Sequence, residues 1–245
     1  MSDILLHGAG GSPFVRKVQI VLAEKGLAYE HVPTVPVPNP PPGLPFPGIT
    51  PELRRKTPLG KVPFARIGDR WLADSSVIIA YLDRLHPDPP IYPSDPWDYA
   101  RALWFEEYID GGAYPKLFGT IFFERVLAPM LFNRPTDQAI VDKALTEDMP
   151  AIYGYLDTEI GSRSFLVGER FTIADAAVAS IFLGMQQADA APDPERWPNL
   201  VRYIQQLHAR PTIARLIEQD SAAMAASSRL DDGGESTEQA LRRTS

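Results

Sequence analysis

The sequence predicts an α+β domain followed by an all-α domain, and three observations carry the prediction. Residues 1–86 set short apolar runs and two helical patterns in the order strand, helix, strand, hairpin, helix. Two proline-dense stretches, nine prolines in 33–51 and five in 87–96, interrupt that order. From Pro96 onward the chain reads helical throughout. The expected division is therefore an α+β domain over 1–86, a linker over 87–96, a helical-bundle domain over 97–222 and a polar tail over 223–245.

Ile4 to His7 is a short apolar run that ends in Gly8, Gly10 and Gly11, a strand entering a loop. Ser12-Pro13 then opens a helix, because serine is a good N-cap and proline suits the first helical position. Val15, Val18, Ile20, Val21 and Leu22 form its apolar face, and Gly26 stops it. Tyr29 to Val32 reads as a second strand. Residues 33–51 are expected to form an extended, polyproline-like loop, with a short helix near Glu52–Lys56. Two runs, Val62–Ile67 and Arg70–Ala73, flank Gly68-Asp69 and read as a hairpin. Ser75 to His86 is the next helix, ended by Pro87.

In the second part, Trp97–Asp110 reads as a helix that breaks at Gly111-Gly112. Tyr114–Leu131 is then either a second helix or a kinked continuation. Helices over Asp137–Glu159, Thr172–Gln187, Leu200–Ala209 and Thr212–Ala222 follow, and the last twenty or so residues are polar and aperiodic.

Composition narrows the chemistry. There is no cysteine, which excludes disulfides, thiolate metal sites and cysteine nucleophiles. The four histidines, at 7, 31, 86 and 208, have no metal-ligand spacing. A net charge of −7 argues against nucleic acid as partner. No apolar run approaches a membrane span, and the N-terminus does not read as a signal peptide, so the expected location is cytoplasmic. The charge is uneven: residues 1–86 carry ten Lys/Arg against seven Asp/Glu, and the remainder 14 against 24. A mildly basic first part suits a small anionic ligand.

Three short motifs could carry chemistry. In Ser12-Pro13-Phe14-Val15-Arg16-Lys17-Val18 a strand turns into a helix, the place where thioredoxin-like proteins hold reactive sulfur. Here positions 12 and 15 are Ser and Val, so the chain could bind a thiol but not supply one. A helix N-terminus favours an anion, and a thiol with an ordinary pKa of about 8.5 is acidified there. Ser12 could equally be a plain N-cap. In Thr57-Pro58-Leu59-Gly60-Lys61-Val62-Pro63, a cis Val62-Pro63 bond would expose the Val62 N–H and C=O to an extended peptide, with Lys61 beside it. A trans turn is the alternative. Asp74-Ser75 precedes the next helix, where Ser75 could hold a carboxylate and Asp74 an ammonium, the two groups of one α-amino acid end. A simple N-cap is again the alternative.

The order and spacing of these motifs resemble the cytosolic glutathione transferases, particularly their serine-type, tau-like and theta-like classes. SPFVRKVQIVLAEKGLAYE resembles that family's first strand–helix–strand passage, TPLGKVPF its cis-proline segment, and ADSSVIIAYLD the segment that follows. LVGERFTIADAAVAS, with a capping box over Thr172–Asp175, resembles its second-domain signature.

The resemblance implies a thioredoxin-like domain followed by an all-helical bundle, and a two-fold homodimer. It implies that Ser12 is catalytic and activates the glutathione thiol. Phe14, Lys61, Val62, Asp74 and Ser75 would bind glutathione: Val62 its cysteinyl backbone, Asp74 and Ser75 its γ-glutamyl end, Lys61 its glycyl carboxylate. His31, Arg54 and Arg55 are further candidates for the glycyl end. Tyr108 and Tyr114, near the expected helix break, are candidates for the acceptor pocket. No metal or redox cofactor is implied, since glutathione is a co-substrate and the partner is a small hydrophobic electrophile.

Two departures stand out: Asp74 replaces the family's usual Glu, and the proline-rich stretch replaces a shorter loop and helix. Other glutathione-dependent reactions (isomerisation, peroxide reduction, ether cleavage) and a non-catalytic binding protein on the same fold remain open.

Overall fold

Proline at the first helical position and a run of β-branched and aliphatic residues produce the element on which the molecule is built. Helix α1, Pro13–Glu24, follows strand β1, Ile4–His7, in a computed structural model that describes residues 3–38, 40 and 46–219. Strand β2, Glu30–Val32, lies parallel to β1. Strands β3, Phe64–Ile67, and β4, Arg70–Ala73, form the expected hairpin about Gly68-Asp69. The sheet order is β2-β1-β3-β4, with β1 antiparallel to β3 and Leu6 facing Ala65 in register. Helix α2, Pro51–Arg54, is capped by Thr50, and helix α3, Ser75–Leu85, closes the first half. This is the thioredoxin-like arrangement that the sequence predicts.

Helix α1 is buried on nearly every side, because the sheet lies on one face and the second half of the chain on the other. Val15, Val18, Ile20, Val21 and Leu22 are fully buried, each contributing about 1.5–3 kcal/mol of transfer free energy. Arg16 and Lys17 are buried too. The face that carries them packs against helix α9, defined below, so a polar stripe that would meet solvent in an isolated domain meets protein here.

The second half is helical. Helix α4, Pro96–Glu107, begins at an Asp95 cap. Gly111-Gly112 does not break it. The chain runs on through a π-helical turn (Tyr108–Ala113), α5 (Tyr114–Leu117), a second π-helical stretch (Phe118–Leu127) and α6 (Ala128–Phe132). The wider turns absorb the two glycines without interrupting the axis, so the continuation is the outcome rather than a second helix. Asn133, with φ 46°, ends the run. Helix α7 (Gln138–Lys143), another π-helical turn (Ala144–Asp148) and α8 (Met149–Ile160) occupy the segment expected as one helix.

Helix α9, Ile173–Gln187, is the buried centre of this half, opened by the expected Thr172/Asp175 capping box. Asp175 also accepts from Tyr203 Oη at 2.5 Å and Leu166 N at 3.0 Å, which ties α9 to helix α10, Pro198–His208. Residues 211–219 are helical, and the remainder of the expected Thr212–Ala222 helix and the polar tail lie outside the described residues. Among the described residues no helix is long and apolar enough to cross a membrane.

Candidate functional site

Ser12 stands at the N-terminus of α1 with extended backbone (φ −73°, ψ 125°), and its hydroxyl makes no capping bond. The plain N-cap reading therefore fails: the side chain is half-buried and available, while the first turn of α1 keeps its N–H groups directed at the same space.

Gly8 fixes what lies beside it. A Cβ there would come within 2.3 Å of Val15 Cγ2 and 3.3 Å of Val62 Cβ, so only glycine lets the end of β1, the first turn of α1 and the Val62 loop converge. The Val62-Pro63 peptide bond is cis. Val62 precedes the β3 ladder, which starts at Phe64, and its backbone N–H and C=O have no hydrogen-bond partner among the described residues. The Pro63 carbonyl accepts from Asp74 N at 3.2 Å, which brings the third motif against the second.

Asp74 has φ 82°, a left-handed conformation unusual outside glycine, and caps α3: its Oδ1 accepts from Ser76 N at 2.9 Å and Val77 N at 3.3 Å. The helix begins at Ser75, as the sequence predicts. One carboxylate oxygen is thus committed to capping, and the other stays at the exposed surface of the site. Ser75 is buried at the first turn, and its hydroxyl has no partner among the described residues.

The remaining wall was not legible in the sequence. Lys17 reaches from α1 into the second half of the chain. Its ammonium donates to Glu106 Oε1 at 2.8 Å, to Asp110 Oδ2, and to Ser76 Oγ at 3.2 Å. Ser76 Oγ in turn donates to Glu106 Oε1 at 2.6 Å, and Tyr92 Oη lies 3.5 Å from Glu106 Oε2. Burial opposes the charge on Lys17, but Asp110 and Glu106 outweigh it and raise the ammonium pKa. Asp110 is pushed up to about 6: burial dominates, Lys17 opposes it, and the neighbouring Glu106 and Asp74 carboxylates add to it. The one available signal was a lysine among the apolar positions of α1, yet its partners lie 59, 89 and 93 residues away.

Phe14 packs on Tyr114 with ring centroids 4.5 Å apart, and Tyr114 stacks on Phe118 at 5.4 Å. Tyr114 is thus held over the first turn of α1, and burial raises its pKa, so the phenol keeps its proton. Tyr108 points elsewhere: its ring meets Tyr155 at 4.7 Å and Trp104 at 6.1 Å.

The contacts close into a ring. Gly8 approaches Val15 and Val62, the Pro63 carbonyl reaches Asp74, Lys17 reaches Ser76 and Asp110, and Phe14 reaches Tyr114, while Ser12 with Phe14 and Val15, and Asp110 with Tyr114, are joined along their own helices. One side of this ring is polar and ends on backbone groups. The other, at Phe14, Tyr114 and Phe118, is aromatic.

Of the cationic candidates, Lys61 is exposed and makes no ion pair among the described residues. The Arg54 guanidinium lies over Gly60, where a Cβ would come within 1.3 Å of Nη1, so Arg54 approaches the same loop. His31 Nε2 is 2.9 Å from the Gly8 carbonyl. His7 stacks on Phe64 at 4.6 Å, as a packing residue would. In the proline-rich stretch, Val35 N donates to Pro47 O and Ile49 N to Val37 O, which folds its described ends together.

Residues 6–90 match the family described as glutathione S-transferase, N-terminal domain, and residues 120–211 the family described as glutathione S-transferase, C-terminal domain. A Glycine max protein named "Probable glutathione S-transferase" is 29% identical over 189 residues, covering 74% of this chain and 70% of its own. A glutathione S-transferase from Rhodospirillum rubrum F11 superposes with a TM-score of 0.76 at 22% identity, covering 87% of this chain and 91% of that one; this likeness shows the fold. Elongation factor 1-gamma from Prunus avium is 27% identical over 170 residues, 69% of this chain and 38% of that protein.

Proposed function

The chain belongs to the glutathione transferase superfamily, and on that premise we propose that it transfers glutathione to a small apolar electrophile, with Ser12 stabilising the thiolate. The observation that carries the reading is the Ser12 hydroxyl, free of any capping bond, at the N-terminus of a helix whose first turn meets Gly8 and, across it, Val62, whose backbone groups have no partner among the described residues.

In this reading glutathione lies extended along the polar side of the ring. Its cysteinyl backbone pairs with Val62 N–H and C=O as an added strand would. Its γ-glutamyl carboxylate meets the hydroxyl and N–H of Ser75, since Asp74 already caps Ser76 N and Val77 N, and its ammonium meets the uncommitted oxygen of Asp74. Lys61 neutralises the glycyl carboxylate, and Arg54 is the nearest further cation. The sulfur then falls at Ser12, where the Ser12 O–H donates to it and the positive end of α1 favours the anion. Phe14 borders the sulfur and Tyr114 belongs to the acceptor half, whereas Tyr108, packed on Tyr155 and Trp104, is not assigned to it. Catalysis comes from thiol ionisation and from holding the two reactants together.

The same premise supports a serine-type, tau-like assignment, a cytoplasmic detoxification role and a homodimer. The match to a protein named for translation elongation favours one second reading, a binding protein that uses the fold without transfer. Retention on immobilised glutathione, followed by assay with a panel of aromatic and alkyl electrophiles, separates them. The transferase reading requires both retention and turnover. Retention without turnover of any electrophile selects the binding protein, and failure to be retained removes the glutathione site.

A further inference from the structure

The large buried side chains of α1 are apolar except Arg16, Lys17 and Gln19, and Lys17 crosses to the other half of the molecule. An ammonium has three protons to donate. Lys17 meets three acceptors, one each from Ser76, Glu106 and Asp110, so its donors are saturated and its orientation is fixed. The three acceptors come from two elements. Ser76 belongs to α3 and follows Ser75, whereas Glu106 and Asp110 belong to the long helix that carries Tyr114.

The spacing along both helices repeats this connection. Phe14 and Lys17 lie three residues apart on α1, and Tyr114 and Asp110 lie four apart on the long helix, so each pair shares a helix face. Phe14 touches Tyr114, and one turn further Lys17 touches Asp110. Two contacts one turn apart fix the rotation and the sliding of the long helix against α1. The π-helical turn Tyr108–Ala113 carries Asp110 and leads directly into Tyr114.

We propose that Lys17 is a positioning residue that sets the register of the acceptor half of the site, at Tyr114, against the glutathione half, at Ser75. The inference rests on the transferase reading above. A buried ion pair contributes little net stability, because desolvation offsets most of the attraction. Its effect here is geometric: the ammonium holds Ser75, through Ser76, and Tyr114, through Asp110, at one separation. Without it, Glu106 and Asp110 face each other as two carboxylates, with Asp74 a third nearby, and the long helix moves away from α1.

The test compares two ligands by calorimetry. Glutathione occupies only the polar half, whereas S-hexylglutathione extends into the acceptor half. Lys17→Met is expected to lower the preference for S-hexylglutathione over glutathione by about tenfold, beyond any loss of glutathione affinity that reaches both ligands through Ser75. Lys17→Arg, which keeps the charge and the donors, is expected to retain the preference. Acceptor KM should rise in Lys17→Met with kcat nearly unchanged. If Lys17→Met does not fold, the pair Lys17→Met with Asp110→Asn removes one charge of each sign and carries the same comparison. An unchanged preference, or an equal loss of affinity for both ligands, overturns the role of Lys17. No binding of glutathione by the unaltered protein overturns the transferase reading and this inference together.

Discussion

The Phe14 and Tyr114 rings meet at a centroid separation of 4.5 Å and an interplanar angle of 52°, across the junction between the two halves of the chain. This contact places a phenol above the helix N-terminus where Ser12 stands, and Phe118 stacks on its far side. An aromatic pair of this kind is worth about 0.5–1.5 kcal/mol beyond its buried area. Tyr114→Ala is therefore expected to raise acceptor KM by about two- to tenfold, with glutathione affinity nearly unchanged. Tyr114→Phe retains the packing and isolates the hydroxyl. Steady-state kinetics that are identical for the unaltered protein and Tyr114→Ala remove Tyr114 from the acceptor half.

Ser12 offers a sharper separation of function from folding. Its hydroxyl makes no capping bond, so Ser12→Ala should change unfolding free energy by less than about 0.5 kcal/mol. The thiol of bound glutathione should lose its donor and titrate about one unit or more higher. The absorbance of the thiolate, followed against pH in both proteins, measures this directly. Coincident titration curves would take the catalytic role away from Ser12.

Asp110 gives a pH dependence with a definite sign. Its carboxyl is raised to about 6 in the folded chain, chiefly by burial. The folded state therefore holds a proton that the unfolded state has released between about pH 4 and 6, and unfolding free energy falls as pH rises through that window. The contribution is fully present below about pH 4 and is lost above about 6. His7 and His208, whose pKa values are lowered chiefly by burial, act in the opposite sense as pH rises toward about 6.5, which is why the unaltered protein's own profile does not isolate Asp110. The measurement is accordingly the difference in urea unfolding free energy between the unaltered protein and Asp110→Asn. That difference should decline from pH 4 to 6 and then level. A difference independent of pH would show that Asp110 has an ordinary pKa.

What could be read from the sequence was what short-range chemistry decides. Ser12-Pro13 marked the start of α1, Gly68-Asp69 the hairpin and Thr172–Asp175 a capping box, because each signal lies within four residues of its effect. Gly111-Gly112 misled in part: glycine disfavours an ordinary helix, but π-helical turns, supported by packing against α9, carry the chain through. The Lys17 tie was invisible because it joins α1 to residues far along the chain. Ser75 was recognised, but the use of Asp74 as a cap for α3 required coordinates, since the same Asp-Ser pair serves either role.

Assembly follows from the solvent-facing sides of two helices. Val77 and Leu85 on α3 are 48% and 51% exposed, and Trp97 and Trp104 on α4 are 72% and 49% exposed. The first part of the chain is mildly basic and the rest acidic, so the first half of one copy is attracted to the second half of another. A two-fold contact repeats that pairing twice and should bury more than about 1,000 Å². Sedimentation at several concentrations is expected to give a dimer that weakens with added salt. A monomer at every concentration refutes the dimer, and a dimer indifferent to salt removes the electrostatic cause.

Lys25 makes the strongest prediction for stability, by the same arithmetic of donors that governs Lys17. Its side chain is fully buried at the end of α1, and its three protons meet the His86 carbonyl at 2.7 Å, the Pro89 carbonyl at 2.7 Å and Asp83 Oδ1 at 2.7 Å. Asp83 also accepts from Ile91 N at 2.8 Å and from Tyr92 N at 3.4 Å. The Lys25–Asp83 pair thus binds four further positions of one short passage, His86, Pro89, Ile91 and Tyr92, which joins the two halves of the chain. Proline supplies few N–H groups in this passage, so its carbonyls depend on an outside donor. Lys25→Met would leave two carbonyls and one carboxylate without their donor, and such a loss costs about 3–5 kcal/mol. Urea unfolding should register that cost, and limited proteolysis should begin between 87 and 95 rather than at exposed loops elsewhere. A cost below about 1 kcal/mol would mean that water replaces the ammonium, and that the bonds from Ile91 N and Tyr92 N to Asp83 and the burial of Ile91 suffice to hold the linker.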